Sequence, residues 1–510
     1  MQRSYRERGS MPRYFLIPAA ILFCAACSVG PKYQRPTAPV TPAFKELPGS
    51  DQWKTASPSD ANLKGKWWEM FGDSELNRLE EMVAVNNQTV KQAEAQFRNA
   101  TALARIAHAG YLPTIGSTPA ITASGTGRSI TTATGTRAAG VSHLFQLPFS
   151  ASWEPDFWGR VRLNVQLETA AAQSSAALIE NARLSIQAAL AEAWFNMLGT
   201  DMQIALLNDT ISGYETYLRL TISRYQGGVA AKSDVTLAQT QLATTRAQAT
   251  DLYQARTQFE HAIAVLTGRP PAELEIPPGR IPGPPPTVPT GVPSHLLERR
   301  PDIASSERLV AAANANIGLA QTAYYPTLTL TATGGLQNTG LTNLFTWPSR
   351  YWSVGSSLAQ TLFDFGRRKA TVQEFEAQYD AQVASYRQTV LSAFQEVEDN
   401  LAALRVLAQE AVEQDAAVAA AEQSLALETD RYKAGTDTYL NVITTQELAL
   451  NDERAAVNIL QRRMVSAVAL VAALGGGWDA SALPGGNSIQ SPSMADPATT
   501  QKIAQPPVTP

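Results

Sequence analysis

Two stretches without proline constrain this chain more than any other feature. One lies between Pro155 and Pro270, the other between Pro348 and Pro484. Within them, Arg160 to Gln226 and Arg367 to Lys433 are 67 residues each. Each run opens after a similar junction, Phe157-Trp158-Gly159-Arg160 and Phe365-Gly366-Arg367. Each closes on Arg-Tyr-x-x-Gly, at Arg224 to Gly228 and at Arg431 to Gly435. Both landmarks recur at one offset of 207 residues, so the chain reads as one unit built twice. At ~1.5 Å rise per residue, each run makes a helix roughly 100 Å long. That is several times the thickness of a bilayer core, and neither run is apolar enough for lipid.

The second run carries a stripe: Val372, Phe375, Tyr379, Val383, Tyr386, Val390, Phe394, Val397, Leu401 and Leu404. Its steps are 3, 4, 4, 3, 4, 4, 3, 4 and 3. This is near an eleven-residue repeat, about 3.67 residues per turn, and implies almost straight packing. After each turn a return helix is expected, about Ser233 to Leu266 and about Tyr439 to Leu474. Gly228 and Gly435 stand where a helix needs a left-handed C-terminal residue. Ser233 or Asp234 is suited to cap the first return helix.

Each long run is preceded by a helix and a Thr/Ser-rich stretch. The first helix is expected from about Asp73 to Gly110, ahead of Pro113. Two strands should fill 114–156, around a loop near 127–140. In the second unit Leu328, Leu330 and Ala332 alternate with Thr327, Thr329, Thr331 and Thr333. A second strand is expected from Tyr351 to Phe363, with Trp352, Val354, Leu358 and Leu362 on one side. Apolar-out, polar-in strands with aromatics near one end fit a transmembrane β-barrel; a soluble two-layer sheet fits the same pattern. Two hairpins supply four strands, and closed barrels start at about eight. Closure would need other copies.

The N-terminus is a targeting segment. Arg3, Arg6, Arg8 and Arg13 precede a short apolar core from Tyr14 to Cys24, and Ala25-Ala26 lead into Cys27. This is a signal peptide, too short to span a membrane. A cysteine after two small residues resembles a bacterial lipobox, with Cys24 where Leu is usual; ordinary cleavage after small residues is the alternative. On the lipobox reading the mature chain starts at Cys27, which carries acyl chains, and it has no other thiol. The expected organisation is a signal peptide (1–26), a lipid-anchored extended segment (27–72), a first repeat (73–268), a Pro-rich linker (269–300), a second repeat (301–475) and a disordered tail (476–510).

A net charge of −4 over 510 residues argues against a nucleic-acid surface. Glu154 and Asp156 beside Trp153 and Trp158 could form an aromatic-lined carboxylate pair of the glycosidase kind. The competing reading makes Asp156 an acid at a helix start. Asp364, at the repeat, lacks a second acid and favours the junction. His108, His143, His261 and His295 have no metal-ligand spacing, and no Gly-rich phosphate loop follows a strand. No catalytic constellation, metal or cofactor is expected.

Several stretches together resemble the TolC-like outer-membrane factors, in particular the NodT-type lipoprotein branch that serves resistance-nodulation-division efflux pumps. They are Cys27 to Tyr33 with Arg35-Pro36, Trp67-Trp68 with Phe71, Arg299-Arg300-Pro301-Asp302-Ile303, Ile317-Gly318, Ala323-Tyr324-Tyr325-Pro326, Phe365-Gly366-Arg367 and both Arg-Tyr-x-x-Gly turns. The resemblance covers nearly the whole mature chain, in order. It implies an α+β membrane protein: a long α-helical barrel beneath a transmembrane β-barrel, with twelve strands in a homotrimer. It also implies an outer-membrane location, in contact with outer-membrane lipids, to which Ser28 after the cysteine would direct the chain. The turns would meet a periplasmic adaptor, and through it an inner-membrane RND pump.

By matching position, adaptor contacts would fall on Gly227, Gly228, Val229, Asp234 and Val235, and on Gly435, Thr436, Leu440, Asn441 and Val442. A gate would involve Leu427, Glu428, Asp430 and Arg431, with Arg431 paired to a carboxylate between helices; a solvated helix end is the competing reading. The second turn, with its charged run and with Asn441 in place of Asp234, is expected to do more of the gating. The implied function is a passive exit duct of a tripartite efflux pump. A type I secretion factor and a structural periplasmic coiled coil remain as alternatives.

Overall fold

The structure is a computed structural model that describes residues 29–41, 43–46, 65–127, 130–132, 135–137, 140–289 and 296–490. The signal peptide, Cys27 and residues 491–510 of the tail lie outside the described residues. A short 3-10 turn, Trp67–Phe71, leads into α1 (Ser74–Asn86) and α2 (Gln88–Ala109). The strands β1 (Thr114–Ser117), β2 (Ala120–Thr126), β3 (Ile130–Thr132), β4 (Gly135–Arg137) and β5 (Gly140–Trp153) follow. Then come α3 (Arg160–Gln226) and α4 (Lys232–Leu266). The second unit holds α5 (Pro301–Thr322), β6 (Thr327–Asn338), β7 (Arg350–Ala359), α6 (Arg367–Ala434) and α7 (Tyr439–Ala473). A short α8 (Gly486–Gln490) comes last.

The long helices match their expected spans, at 67 residues for α3 and 68 for α6. Each is flanked along its lower part by its return helix, α4 on α3 and α7 on α6. All ten stripe residues of α6 are buried or half-buried. The return helix α7 is long and apolar enough to cross a membrane by length and composition. Its Met464, Val468 and Val471 instead pack in the central core, with Trp67, Phe71, Leu190 and Phe195.

The first helix differs from expectation. It is broken at Asn87, whose side chain accepts from the Thr89 and Val90 backbone N–H groups and starts a new helix. The Asn87 amide also donates to the Leu266 carbonyl at 2.7 Å, so the break ties α2 to the end of α4. Neither Ser233 nor Asp234 caps α4. Ala231 holds the N-cap position, and Asp234 reaches back to its N–H at 3.4 Å.

A described stretch of the Pro-rich linker, residues 269–289, is packed. Leu274, Ile276, Ile281 and Val288 are buried in the central core. Arg256 donates to Asp201 at 2.7 Å and to the Ile276 carbonyl at 2.5 Å, and Asp201 also accepts from the Gly279 N–H. The start of the tail is ordered too. Gly475, Gly476 and Gly477 all take positive φ and turn the chain back. Ile489 of α8 then buries against Ala104 and Ala172. Compositions rich in Pro, Gly and Ser disfavour long helices, but docking on an existing surface needs only a few apolar anchors.

Residues 29–41 and 43–46 of the N-terminal segment form neither helix nor strand and clamp the second unit. Tyr33 donates to the buried Glu307, and Arg387 donates to the Thr37 carbonyl at 3.1 Å. Glu398 accepts from the Lys45 and Glu46 N–H groups, and Phe44 enters the central core.

The sheet has the order β1/β2-β5-β6-β7, all antiparallel. β1 and β2 share one register against β5, from Thr114 opposite Ser152 to Thr126 opposite Gly140. They are one strand interrupted at Thr118-Pro119. Pro119 and the nearby Pro148 of β5 have no N–H to give the ladder, which accounts for the gap. The sheet is therefore four strands wide, with the small β3-β4 hairpin inside the expected loop. β7 stops at Ala359, short of the expected Phe363. Its partner β6 begins at Thr327, after Pro326, so the ladder has no further donor. Leu362 consequently lies outside the strand.

Cross-strand partners share a face. One face collects Ile115, Ile121, Phe145, Leu147, Phe149, Trp153, Leu328, Leu330, Trp352, Val354 and Leu358. The other collects Thr114, Thr122, Ser124, Gln146, Ser150, Ser152, Thr327, Thr329, Thr331, Thr333, Ser353 and Ser357.

Candidate functional site

At the end of the molecule far from the sheet, α3 turns into α4 and α6 into α7. Gly228 and Gly435 take left-handed φ of 76° and 77°. Each turn closes backwards, with Val229 N–H donating to Arg224 O at 2.8 Å and Thr436 N–H to Arg431 O at 3.0 Å. The two Arg-Tyr pairs then part ways. Arg224 crosses to the other unit: its Nη2 donates to the carbonyls of Tyr432 (2.9 Å) and Lys433 (3.2 Å), and its guanidinium lies 4.3 Å from the Tyr432 ring centroid. Arg431 stays in its own turn, between Glu428 at 2.9 Å and Asp437 at 3.5 Å. It is paired with carboxylates, but on its own helix and turn rather than between helices. Lys433 and Asp430 are 3.8 Å apart.

Beneath the turns lies an aromatic cluster absent from the sequence reading. Tyr432 and Tyr439 meet at 5.5 Å between centroids, over Val442, Ile443 and Ala238. Tyr217 and Thr429 share a hydrogen bond of 3.2 Å, and Thr221 reaches the Tyr432 hydroxyl at 3.4 Å. Burial pushes the Tyr439 phenol well above its ordinary value, with Tyr432 adding to the effect. The sequence signal was available in the repeat: Tyr432 is the Tyr of the second Arg-Tyr-x-x-Gly. What it could not show is that Tyr432 is buried while its counterpart Tyr225 is 44% exposed.

The other expected tip residues divide by exposure. Gly227, Gly228, Val229, Gly435, Thr436, Leu440 and Asn441 are exposed, and Asp234 and Val235 are half-buried. Val442 is fully buried in the tyrosine cluster and supports the surface from below. Leu427 is exposed, as is Asp430. Asp437 was missed. Its counterpart 207 residues earlier is Ala230, and Glu428 and Asp430 likewise stand opposite Thr221 and Ser223. The second turn is thus the acidic one. The Thr438 N–H, followed by the Asn441 amide and the Arg431 charge, holds Asp437 below the usual carboxylate range.

The carboxylates at the strand-to-helix junctions serve the backbone. Asp156 accepts from the Val161 and Arg162 N–H groups at 2.9 Å each, and Glu154 pairs with Arg160. At the repeat, Asp364 accepts from Gly366 and Arg368 N–H groups and pairs with the Arg368 side chain. Gly159 and Gly366 beside them are both left-handed, at φ 80° and 92°. These are duplicated helix caps, which answers the glycosidase reading. Among the described residues no group of three or more His, Cys, Asp or Glu could hold a metal.

The profile of outer membrane efflux proteins matches residues 79–269 and 292–476, one segment for each unit. The chain belongs to the outer membrane efflux protein family. It is 32% identical to the outer membrane protein OprJ of Pseudomonas aeruginosa over 464 residues, covering 90% of this chain and 94% of OprJ. It is 30% identical to the toluene efflux pump outer membrane protein TtgC of Pseudomonas putida, covering 89% of this chain and 93% of TtgC. Its fold matches the outer-membrane channel OprN with a TM-score of 0.82 at 27% identity, covering 89% of this chain and 100% of OprN. As a member of this family it is an outer-membrane efflux channel, a duct rather than an enzyme by descent.

Proposed function

We propose that three copies of this chain form one continuous exit duct. The observation that carries this is the sheet. It is four strands wide, with β1/β2 and β7 as outer edges that have no partner among the described residues. One of its faces is apolar and exposed: Trp352 is 81% exposed, Val354 73% and Leu358 68%. Four strands cannot close alone, and lipid tolerates no open edge. Three copies meeting edge to edge would give twelve strands, with the apolar face toward lipid. Below it the long helices would form an α-barrel reaching down into the periplasm.

The lipid anchor belongs to the same reading. Cys27, two residues ahead of the described Val29, would be acylated and hold the N-terminal segment in the inner leaflet of the outer membrane. The exposed turn residues around Val229 and Thr436 would receive a periplasmic adaptor, which links the duct to an inner-membrane RND pump. Leu427, Glu428, Asp430 and Arg431 would narrow the mouth at rest. The pump would supply the energy, and the cargo would be small organic molecules.

The decisive experiment uses the scarcity of thiols in the mature chain. Val229→Cys and Thr436→Cys proteins are exposed to a bifunctional thiol-to-amine crosslinker in cells. A crosslinked periplasmic adaptor is the expected product at both positions. Capture of no adaptor at either position would discard the tip assignment, and migration of the unheated protein as a monomer would discard the trimer.

A further inference from the structure

The sheet's second face has a property that the efflux reading does not use. Its side chains are chiefly hydroxyls, amides and small groups, with Leu144 and Tyr351 as larger uncharged members: Thr114, Thr331, Ser150, Ser353, Gln146 and Gln337 are typical. Across the five described strands of this sheet one residue carries a formal charge, Arg350, at the start of β7. Arg350 pairs across the ladder with Leu336, on the apolar side, and its guanidinium lies 3.6 Å from the Trp347 ring centroid. It is thus spent on an aromatic ring at the strand's end and does not face the hydroxyl wall. Partners on that wall engage one another neutrally, as in the Gln146 to Gln337 hydrogen bond of 3.1 Å.

Fixed charges on a pore wall act through their field. A lining of one sign concentrates counter-ions and excludes co-ions, and rings of carboxylates or basic groups are the usual source of ionic selectivity. A wall of hydroxyls has dipoles that rotate to suit whatever passes, with no net sign. We propose that the barrel of this duct is an electrically indifferent, hydroxyl-lined outlet, in which cationic, anionic and uncharged organic solutes meet the same wall. Selection by charge is then left to what lies outside this wall: the β3-β4 hairpin with Arg137, and the helical part with its acidic second turn at Glu428, Asp430 and Asp437. The strand wall itself discriminates by size alone. This inference rests on the reading of the sheet as a barrel wall, and the test separates the two.

Thr331→Cys and Ser353→Cys place a thiol on the hydroxyl face, and Ala332→Cys places one on the apolar face. Trimers in lipid vesicles are treated at low ionic strength, where screening extends over ~30 Å. Three methanethiosulfonates are compared, bearing a trimethylammonium, a sulfonate and a hydroxyl group. Each rate is divided by the rate with a free thiol in solution. The expected result is normalised rates within about twofold of one another at both Thr331→Cys and Ser353→Cys, since a wall without net sign leaves local reagent concentrations unchanged. A preference of about tenfold or more for the cationic or the anionic reagent at both positions would overturn the proposal and leave the barrel standing. Reaction at Ala332→Cys with none at Thr331→Cys or Ser353→Cys would overturn the barrel reading itself.

Discussion

The Arg224 guanidinium lies over the Tyr432 ring, 4.3 Å from its centroid, while donating to the Tyr432 carbonyl at 2.9 Å. One arginine of the first unit thereby holds both the side chain and the backbone of the second. A cation–π contact contributes about 0.5–1 kcal/mol and a charge-assisted hydrogen bond about 1.5–3 kcal/mol. Their loss should shift any equilibrium between closed and open turns by about tenfold or more. Arg224→Ala channels in planar bilayers are expected to conduct more than wild type, with Arg224→Lys in between. Wild-type conductance in Arg224→Ala would show that this contact does not restrain the mouth.

Arg431 and its two acids make a second restraint, of a different kind. It is local to one turn and more exposed, with the Arg431 side chain 59% accessible, so it is worth less. Arg431→Ala should therefore raise conductance less than Arg224→Ala does. Asp430→Ala, which loses an exposed ion pair with Lys433 at 3.8 Å, should change it least. The reverse order would mean that the Arg224 crossing is the weaker of the two restraints.

Glu80 of α1 is wholly buried, and neither carboxylate oxygen has a hydrogen-bond partner. Burial pushes its carboxyl up to about 9, against ~4.3 in an unfolded chain. The unfolded chain gives up this proton first. Stability is then full below about pH 4 and declines as pH rises toward 9, by on the order of 3 kcal/mol at pH 7. Glu80→Gln and Glu80→Leu should both flatten that decline. Melting temperatures at pH 5 and pH 8 provide the measurement, and parallel curves for wild type and Glu80→Leu would contradict it.

Gly30 sits at φ 104°, and a Cβ there would lie 2.5 Å from the Gly318 Cα. Alanine at this position meets both backbone strain and a rigid neighbour, for about 1–3 kcal/mol of overpacking. Gly30→Ala should loosen the N-terminal clamp without altering the long helices. Limited proteolysis is expected to cut within residues 29–46 sooner than in wild type, at unchanged helical circular dichroism. Equal cutting rates would mean that the clamp is held elsewhere.

Asp201 and Arg256 form a pair with 2% and 13% of their side chains exposed. Removing Asp201 leaves Arg256 buried with Glu260 at 3.2 Å and the Ile276 carbonyl, so the cost falls below the ~3–5 kcal/mol of a fully stranded partner. Asp201→Ala should also free the linker at Gly279, so its melting temperature should fall further than that of a surface substitution such as Glu215→Ala. A fall no greater than that of Glu215→Ala would rule out the anchoring role.

What the sequence made legible was periodic or repeated. The long helices could be read because proline was absent over their length and their ends recurred 207 residues apart. Gly159 and Gly366 mark the starts, and Gly228 and Gly435 the ends, because each backbone there takes a left-handed turn. Asn87 escaped because a helical pattern continues across it, and its second bond is to Leu266, far along the chain. The linker and tail escaped because Leu274, Ile276 and Ile489 are single anchors without a period. The Arg224–Tyr432 contact joins residues whose nearness depends on how two units pack side by side, which neither unit encodes alone.

The open edges of the sheet have a genetic consequence. If each copy must lend one edge to each neighbour, a copy with a damaged edge is not merely inactive. It occupies a place in the ring and disables the sound copies beside it. A proline put in the middle of β7, for instance at Val354, would spoil one seam while leaving the remaining surface able to enter assembly. Expressed beside the normal gene, such an allele should behave as a dominant one, lowering cellular efflux by more than its share of the transcript.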